Sequence, residues 1–436
     1  MQTSLETLGE LERRLTMSVP VAQIEREVAQ RLARLAKNTK VAGFRPGKVP
    51  LKMVAQQYGP QVRSDVIADA VKTTFADALR EQNLRIAGYP RIEPKAEAAA
   101  PDLLEFSAAF EVYPEVRIGD LADVTIERPL TEVGADDVER TIEMLRRQRT
   151  RYERVARGAA TGDRVVVDFS GTIDGVAFPG GQANDFAIVL GEGRMLPEFE
   201  TAVSAMTEGE TKTFGLTFPA DYHGKEVAGK AAQFSLTVKS VEAGHLPEVD
   251  AEFVRAFGVA SGDLEELKAE IASNLRLELK RKIDTAVKEQ VFTALRQKAT
   301  FMLPKSLVEI EAQNMAQRMA ADMREKGMKA EEVKLTPDMF RANAEVRVAL
   351  GLILSEVVRT EALSAKPEEV KALLQEAAQT YEQPEAVVRW HYEKPERLSD
   401  FEALAVEQNV VAWVLGRAQV EDKPVALTDL MASARS

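Results

Sequence analysis

The chain has 436 residues and no cysteine, only three histidines and two tryptophans. Without cysteine, neither disulfides nor thiolate chemistry can contribute, and the absence fits a reducing compartment. His223, His245 and His391 are isolated from one another and have no cysteines to join in a metal site, so no metal is expected. Long apolar runs are missing too. No stretch approaches the ~18 uninterrupted apolar residues of a membrane span. The start, Met1-Gln2-Thr3-Ser4-Leu5-Glu6, lacks the basic opening and apolar run of a secretory signal. A cytoplasmic protein is therefore expected. No nucleophile-elbow pattern appears. Gly43 to Lys48 superficially resembles a phosphate loop, but three residues separate its glycines and Val49 follows the lysine. A phosphate loop needs four residues there and then Ser or Thr, so the spacing excludes nucleotide binding, and no cofactor is expected.

Acidic charge is locally absent as well. The chain is acidic overall, with 69 Asp+Glu against 57 Lys+Arg, yet Val28 through Ser64 holds no acidic residue. It holds Arg31, Arg34, Lys37, Lys40, Arg45, Lys48, Lys52 and Arg63. A basic island on an acidic protein suits attachment to one polyanion at one place without general adhesion to nucleic acid. At its centre lies Gly43-Phe44-Arg45-Pro46-Gly47-Lys48-Val49-Pro50. Glycines and prolines between helices ordinarily make a turn. Phe44, however, is a large apolar side chain at a loop tip, and Arg45 beside it completes an aromatic-plus-arginine anchor of the kind that dominates binding energy at interfaces.

Periodicity divides the chain into an α+β multidomain protein. Residues 1–113 read as a small α+β domain. Leu15, Met17 and Val19 alternate as a strand that Pro20 ends, Ile24 to Leu35 fall at helical spacing, and Phe106 to Val112 alternate again. Residues 114–150 read as a linker with a short strand at 124–126 and a helix from about Asp136, whose Arg146, Arg147, Arg149 and Arg151 suit a solvated face. Residues 151–244 read as mostly β, punctuated by Gly and Pro. Residues 245–436 read as almost entirely helical. Leu264 to Leu295 step by three or four along the chain. That implies one helix of ~50 Å, at about 1.5 Å per residue. Asp263 is its expected N-cap, and Pro304 starts the next helix.

The β region carries Val165-Val166-Val167-Asp168-Phe169-Ser170-Gly171, then Asp174-Gly175 and Phe178, then Phe186. Met195-Leu196-Pro197-Glu198-Phe199, Phe218-Pro219-Ala220-Asp221-Tyr222 and a closing strand with Phe234 follow. This set resembles the FK506-binding-protein (FKBP) type of peptidyl-prolyl isomerase over most of the β region. The resemblance implies an antiparallel β domain with a short helix. It also implies an isomerase hollow built by Phe169, Phe178, Phe186, Met195, Leu196, Phe199, Tyr222 and Phe234. Phe199 stands where the family usually has tryptophan, and Pro179 where it usually has aspartate. The same aromatics also suit the plain core of a small β domain, since Phe169 and Phe234 sit in strands.

The loop motif, ahead of an FKBP-type domain and a long helical C-terminal region, resembles the bacterial trigger factor family over the whole chain. That resemblance implies docking on the large ribosomal subunit at the exit tunnel, on a ribosomal protein and rRNA. Gly43, Phe44, Arg45, Gly47, Lys48 and Pro50 would carry the docking. It implies ATP-independent shielding of unfolded nascent chains, a role in folding and export, and a homodimer off the ribosome. The C-terminal helices would form an extended all-α body with arms. Six of the chain's thirteen methionines fall between Met302 and Met339. Met315, Met319 and Met323 suit either adaptable substrate contact or one buried helical stripe. Two other functions stay open: a free isomerase whose helices dimerise or recruit substrate, and a holdase with a silenced hollow.

Overall fold

A computed structural model describes residues 3–38, 49–95, 100, 102–222, 224–328, 334–379, 381 and 383–432. It divides into two compact units, Met1–Arg128 with Thr285–Lys423, and Pro129–Asp284 with Pro424–Ser436. Among the described residues, no helix is long and apolar enough to cross a membrane.

The first unit opens with β1 (Thr3–Thr7), β2 (Glu12–Pro20), α1 (Val21–Asn38), α2 (Leu51–Glu81), β3 (Ile86–Pro94) and β4 (Leu103–Val112). The four strands form one antiparallel sheet in the order β1-β2-β4-β3. Alternation puts Leu15, Met17 and Val19 on its buried face. The two ends of α2 serve different cores. Val54, Val62 and Val66 pack against Ile24, Val28 and Leu32 of α1. Val71, Phe75 and Ala78 lie with Leu15, Met17 and Phe110 of the sheet, where the Phe75 and Phe110 rings meet edge to face at 5.4 Å. Gly43, Phe44, Arg45, Gly47 and Lys48 lie outside the described residues. Pro50 is described, and it takes the extended N-cap position of α2.

The stretch 114–150 carries β5 (Arg117–Ile118), β6 (Thr125–Leu130) and α3 (Ala135–Gln148). The isomerase-like region follows as β7 (Arg151–Arg154), β8 (Arg164–Ile173), β9 (Val176–Val189), α4 (Pro197–Val203), β10 (Thr211–Thr217) and β11 (Ala231–His245). Its sheet runs β10-β11-β8-β9, with β7 added on β11, all antiparallel. Next come α5 (Ala251–Arg255) and the 35-residue α6 (Leu264–Lys298). Asp263 caps α6 as expected, its Oδ1 accepting from the Glu265 N–H at 2.9 Å. Val138 and Ile142 of α3 are buried with Phe253, Val254, Leu267 and Ile271. The arginines at the C-terminal end of α3 and its cap are less free than their spacing suggested. Arg146 donates to the Pro247 carbonyl at 3.0 Å and pairs with Glu143, and Arg149 lies over the Phe257 ring at 5.2 Å. Exposed guanidinium heads with apolar stems are suited to such contacts.

The rest is helical with two additions. After β12 (Ala299–Thr300) come α7 (Lys305–Glu325), α8 (Arg341–Glu361), α9 (Pro367–Ala378), α10 (Pro384–Tyr392) and α11 (Ser399–Leu415), then β13 (Gln419–Pro424) and α12 (Leu427–Ala432). β12 pairs with β5, and β13 with β6. The stretch read as a linker is thus bonded to later chain. Arg128 holds Asp422 with two hydrogen bonds of 2.6 and 3.0 Å, and Lys423 holds Glu127 at 2.8 Å. On α7 the buried line is Val308, Ala312 and Ala316 rather than the methionines. Met315 is half-buried against that line, Met323 is half-buried and Met319 is exposed.

Candidate functional site: an aromatic hollow in the β domain

Strands β8, β9 and β11 and the short helix α4 supply four of the lining rings, and the loop after β10 supplies Phe218 and Tyr222. Phe169 rises from β8 and Phe234 from β11, the neighbouring strand. Gly171 faces Phe234 across that pair, and a Cβ at 171 would lie 2.5 Å from the ring. A side chain there would fill the space the ring occupies, so glycine is required by close approach. Gly181 does the same for Phe178, where a Cβ would come within 2.9 Å of the ring. Pro197 opens α4 at a position where its missing N–H costs nothing. The helix drives Phe199 down to 2% exposure.

Phe199 is the hub beneath the hollow. Its ring meets Phe169 at 5.5 Å, Phe214 at 5.6 Å and Phe234 at 6.0 Å, each near edge to face. Phe178 meets Phe218 at 5.9 Å and Phe234 at 6.1 Å, and Tyr222 tilts onto Phe218 at 4.9 Å. Edge-to-face pairs contribute about 0.5–1.5 kcal/mol each beyond burial, so the rings hold their angles as a set.

Above them opens a hollow of about 490 Å³. That falls within the ~300–1,000 Å³ range of small-ligand sites. Of the residues expected there, Phe169, Phe178, Met195, Leu196, Phe199, Tyr222 and Phe234 line it. Phe186 does not. It is 39% exposed and meets the edge of Phe169 at 5.7 Å from outside the lining. The register of β9 explains this. It shifts between Val167 and Phe169, with Phe186 opposite Val167 and Ala183 opposite Phe169. The apolar side chains of Leu216, Phe218 and Val227 also line the hollow, and the sequence reading did not place them there. Phe218 and Leu216 had a signal in the Phe-Pro-Ala-Asp-Tyr run and the alternation of β10, whereas Val227 sits in a turn segment without one.

The charges of this domain brace it from outside. Asp163 is 3% exposed and accepts from Arg157 at 2.6 and 2.9 Å and from the Ala160 N–H at 2.8 Å. Burial pushes its carboxyl up, but the Arg157 guanidinium and the N–H groups of Ala160 and Gly244 outweigh that and hold it below the ordinary aspartate value. Lys239 bridges Asp185 and Asp168, and the Asp185 N–H donates to Asp168 at 2.7 Å. The Asp185 carboxylate raises the Lys239 ammonium above its ordinary value, with Asp168 adding to the effect. Asp185 itself takes left-handed backbone at φ 53°. Aspartate tolerates that region better than most residues. No group of three or more metal-ligating side chains occurs among the described residues. The site offers no nucleophile–base pair in its lining; it offers an apolar cradle, one phenol and the guanidinium of Arg194.

A five-stranded antiparallel sheet, a short helix and a ring-lined hollow between them define an FKBP-type domain. Residues 156–239 match the model of the FKBP-type peptidyl-prolyl cis-trans isomerases. Flanking it, residues 1–145 match the bacterial trigger factor protein model and residues 263–416 match the trigger factor C-terminus. The trigger factor of Aromatoleum aromaticum is 52% identical over 434 residues, and that of an Azoarcus species 51% over 437 residues, each covering 100% of both chains. The trigger factor of Dechloromonas aromatica is 49% identical, covering 99% of each. The chain belongs to the bacterial trigger factor family, a family of chaperones with an FKBP-type domain. A solved structure reported as "Promiscuous Substrate Recognition in Folding and Assembly Activities of the Trigger Factor Chaperone" covers 95% of this chain and 99% of its own, at 17% identity and a TM-score of 0.48.

Proposed function

We propose that this chain is a ribosome-associated, ATP-independent chaperone that shields nascent polypeptides and isomerises X–Pro bonds in its FKBP-type hollow. The observation that carries the enzymatic half is the nest of rings around a 490 Å³ cavity, with Tyr222 in its lining. Resonance stiffens the X–Pro bond, giving a barrier of ~18–20 kcal/mol. The planar amide is the more dipolar state and water favours it. A cradle that grips proline and strips water disfavours that state relative to the twisted one. Tyr222 would donate one hydrogen bond to the substrate carbonyl. Each tenfold acceleration needs only ~1.4 kcal/mol off the barrier, so neither nucleophile nor metal is required.

The docking half rests on family membership and on the uninterrupted basic charge of 28–64. Phe44, Arg45 and Gly47 would form the anchor at the exit tunnel, with Lys48 and its basic neighbours on rRNA phosphates. The half-buried and exposed methionines of α7 would meet unfolded segments, since thioether side chains adapt to many apolar partners. The protein would work in the cytoplasm. Turnover of a proline tetrapeptide together with suppression of aggregation of an unfolded protein tests the proposal. Both should be seen without ATP. A protein that suppresses aggregation yet turns over no proline peptide would make it a pure holdase.

A further inference from the structure

Apart from the Tyr222 phenol, the side chains lining the hollow are apolar except for one charge. Among its described lining residues only Arg194 is ionised at neutral pH. The loop between β9 and α4 puts it there. Gly191 and Gly193 take left-handed backbone at φ 90° and 67°. Glycine adopts that conformation without strain. Met195 and Leu196 then turn inward and are half-buried, which leaves Arg194 exposed at the mouth. Other arginines of this domain are committed: Arg154 to Glu208, Arg157 to Asp163 and Arg164 to Glu242. Arg194 has no ion pair or hydrogen bond among the described residues. The exposed carboxylates of Glu192 and Glu198, two and four positions away, do not engage it. A free guanidinium beside an apolar cavity is a ready partner for a carboxylate carried in with an apolar ligand.

We infer that Arg194 is a specificity-determining residue, selecting prolines that have an acidic side chain as their immediate neighbour. The inference rests on the hollow being the proline site. A proline ring fills the cradle, and the flanking residues of an extended peptide lie only ~3.3–3.6 Å per residue away, at the mouth. Exposed ion pairs are modest, so the preference is small: about two- to fivefold for Glu over Lys at low ionic strength. Salt at several hundred millimolar erases most of it.

The test uses the full chain and tetrapeptides with Glu, Leu or Lys immediately before proline, and a second set with the same residues immediately after. Dissociation constants come from amide shifts of residues 193–196 and 222, and turnover is measured in parallel. Wild type is expected to bind a Glu peptide two- to fivefold more tightly than its Lys counterpart. R194Q should bring that ratio to about one and R194E should invert it, with the Leu peptides unchanged within twofold. Equal affinities for Glu and Lys in wild type, in both sets, overturn the inference. So does a ratio that survives in R194Q, or a variant that loses the Leu peptides as well, which would make Arg194 structural. If the ratio behaves as expected and no peptide is turned over, the selectivity stands and the isomerase reading fails.

Discussion

Phe199 shows why the floor of the hollow and the core of the domain cannot be separated by mutation. At 2% exposure, in contact with Phe169, Phe214 and Phe234, it is as much core as site. Phe199→Ala should destabilise the domain by about 3–5 kcal/mol, so lost isomerase activity in that variant would report unfolding. Phe178 is half-buried over the cavity and makes the cleaner test. Phe178→Ala is expected to lower turnover of a proline tetrapeptide at least tenfold, with a much smaller change in denaturant midpoint than Phe199→Ala. Equal midpoint shifts for the two would place Phe178 in the core instead. Asp163 supplies a pH signature. Its folded value lies below the ordinary one of about 3.9. The stability it contributes is therefore fully present above that pH and drains away as pH falls toward the folded value. Asp163→Asn should lower the melting temperature at neutral pH and shrink the difference from wild type as pH drops below about 4. A gap that stays constant down to strongly acidic pH would contradict the Arg157 clasp as its source.

At the scale of elements, α7 has an unusual start. Its N-cap is Pro304, which has no side chain able to accept from the first turn. The cap arrives from β4. Glu111 accepts from the Lys305 N–H at 3.2 Å and the Ser306 N–H at 2.7 Å, and the Ser306 hydroxyl lies 2.6 Å from the same carboxylate. An anion at a helix N-terminus also favours the macrodipole. Glu111→Ala should cost about 1–2 kcal/mol locally. Hydrogen exchange at Lys305 and Ser306 should then quicken about tenfold, since about 1.4 kcal/mol is a factor of ten. Unchanged exchange would mean water caps the helix as well. No sequence pattern announces such a cap, because acceptor and donors lie 194 and 195 residues apart. The same limit hid β13. Gln419-Val420-Glu421-Asp422-Lys423-Pro424 is exposed throughout and does not alternate, and its partner β6 lies almost three hundred residues earlier. By contrast α6 was legible, because Leu267, Ile271, Val291 and Leu295 repeat at helical spacing and are buried. The hollow was legible only through the resemblance of its aromatic motifs to the FKBP family, since the same rings also suit a plain β core. Phe186 misled because a strand register shift cannot be read from one strand alone, and Val227 was missed because packing from a turn leaves no period.

At the scale of the whole molecule, the proposed function assigns ribosome docking and proline chemistry to segments far apart in sequence, 43–50 and 169–234. The chain carries a net charge of −12, so ribosomal RNA should repel most of its surface. Docking must then come from the basic island and be strongly salt-dependent, as counterion release from phosphates requires. Phe44→Ala with Arg45→Ala removes the anchor pair while leaving Lys37, Lys40, Lys48 and Lys52 in place. That double variant is expected to lose co-sedimentation with ribosomes at physiological salt and to keep wild-type turnover of a proline tetrapeptide. Lowering the salt should recover weak binding through the remaining lysines. Phe178→Ala should show the opposite pattern, sedimenting with ribosomes and turning over little. Full co-sedimentation of the Phe44, Arg45 variant at physiological salt would detach the loop from docking, and with it the reading of the basic island as the reason an acidic protein finds a polyanion.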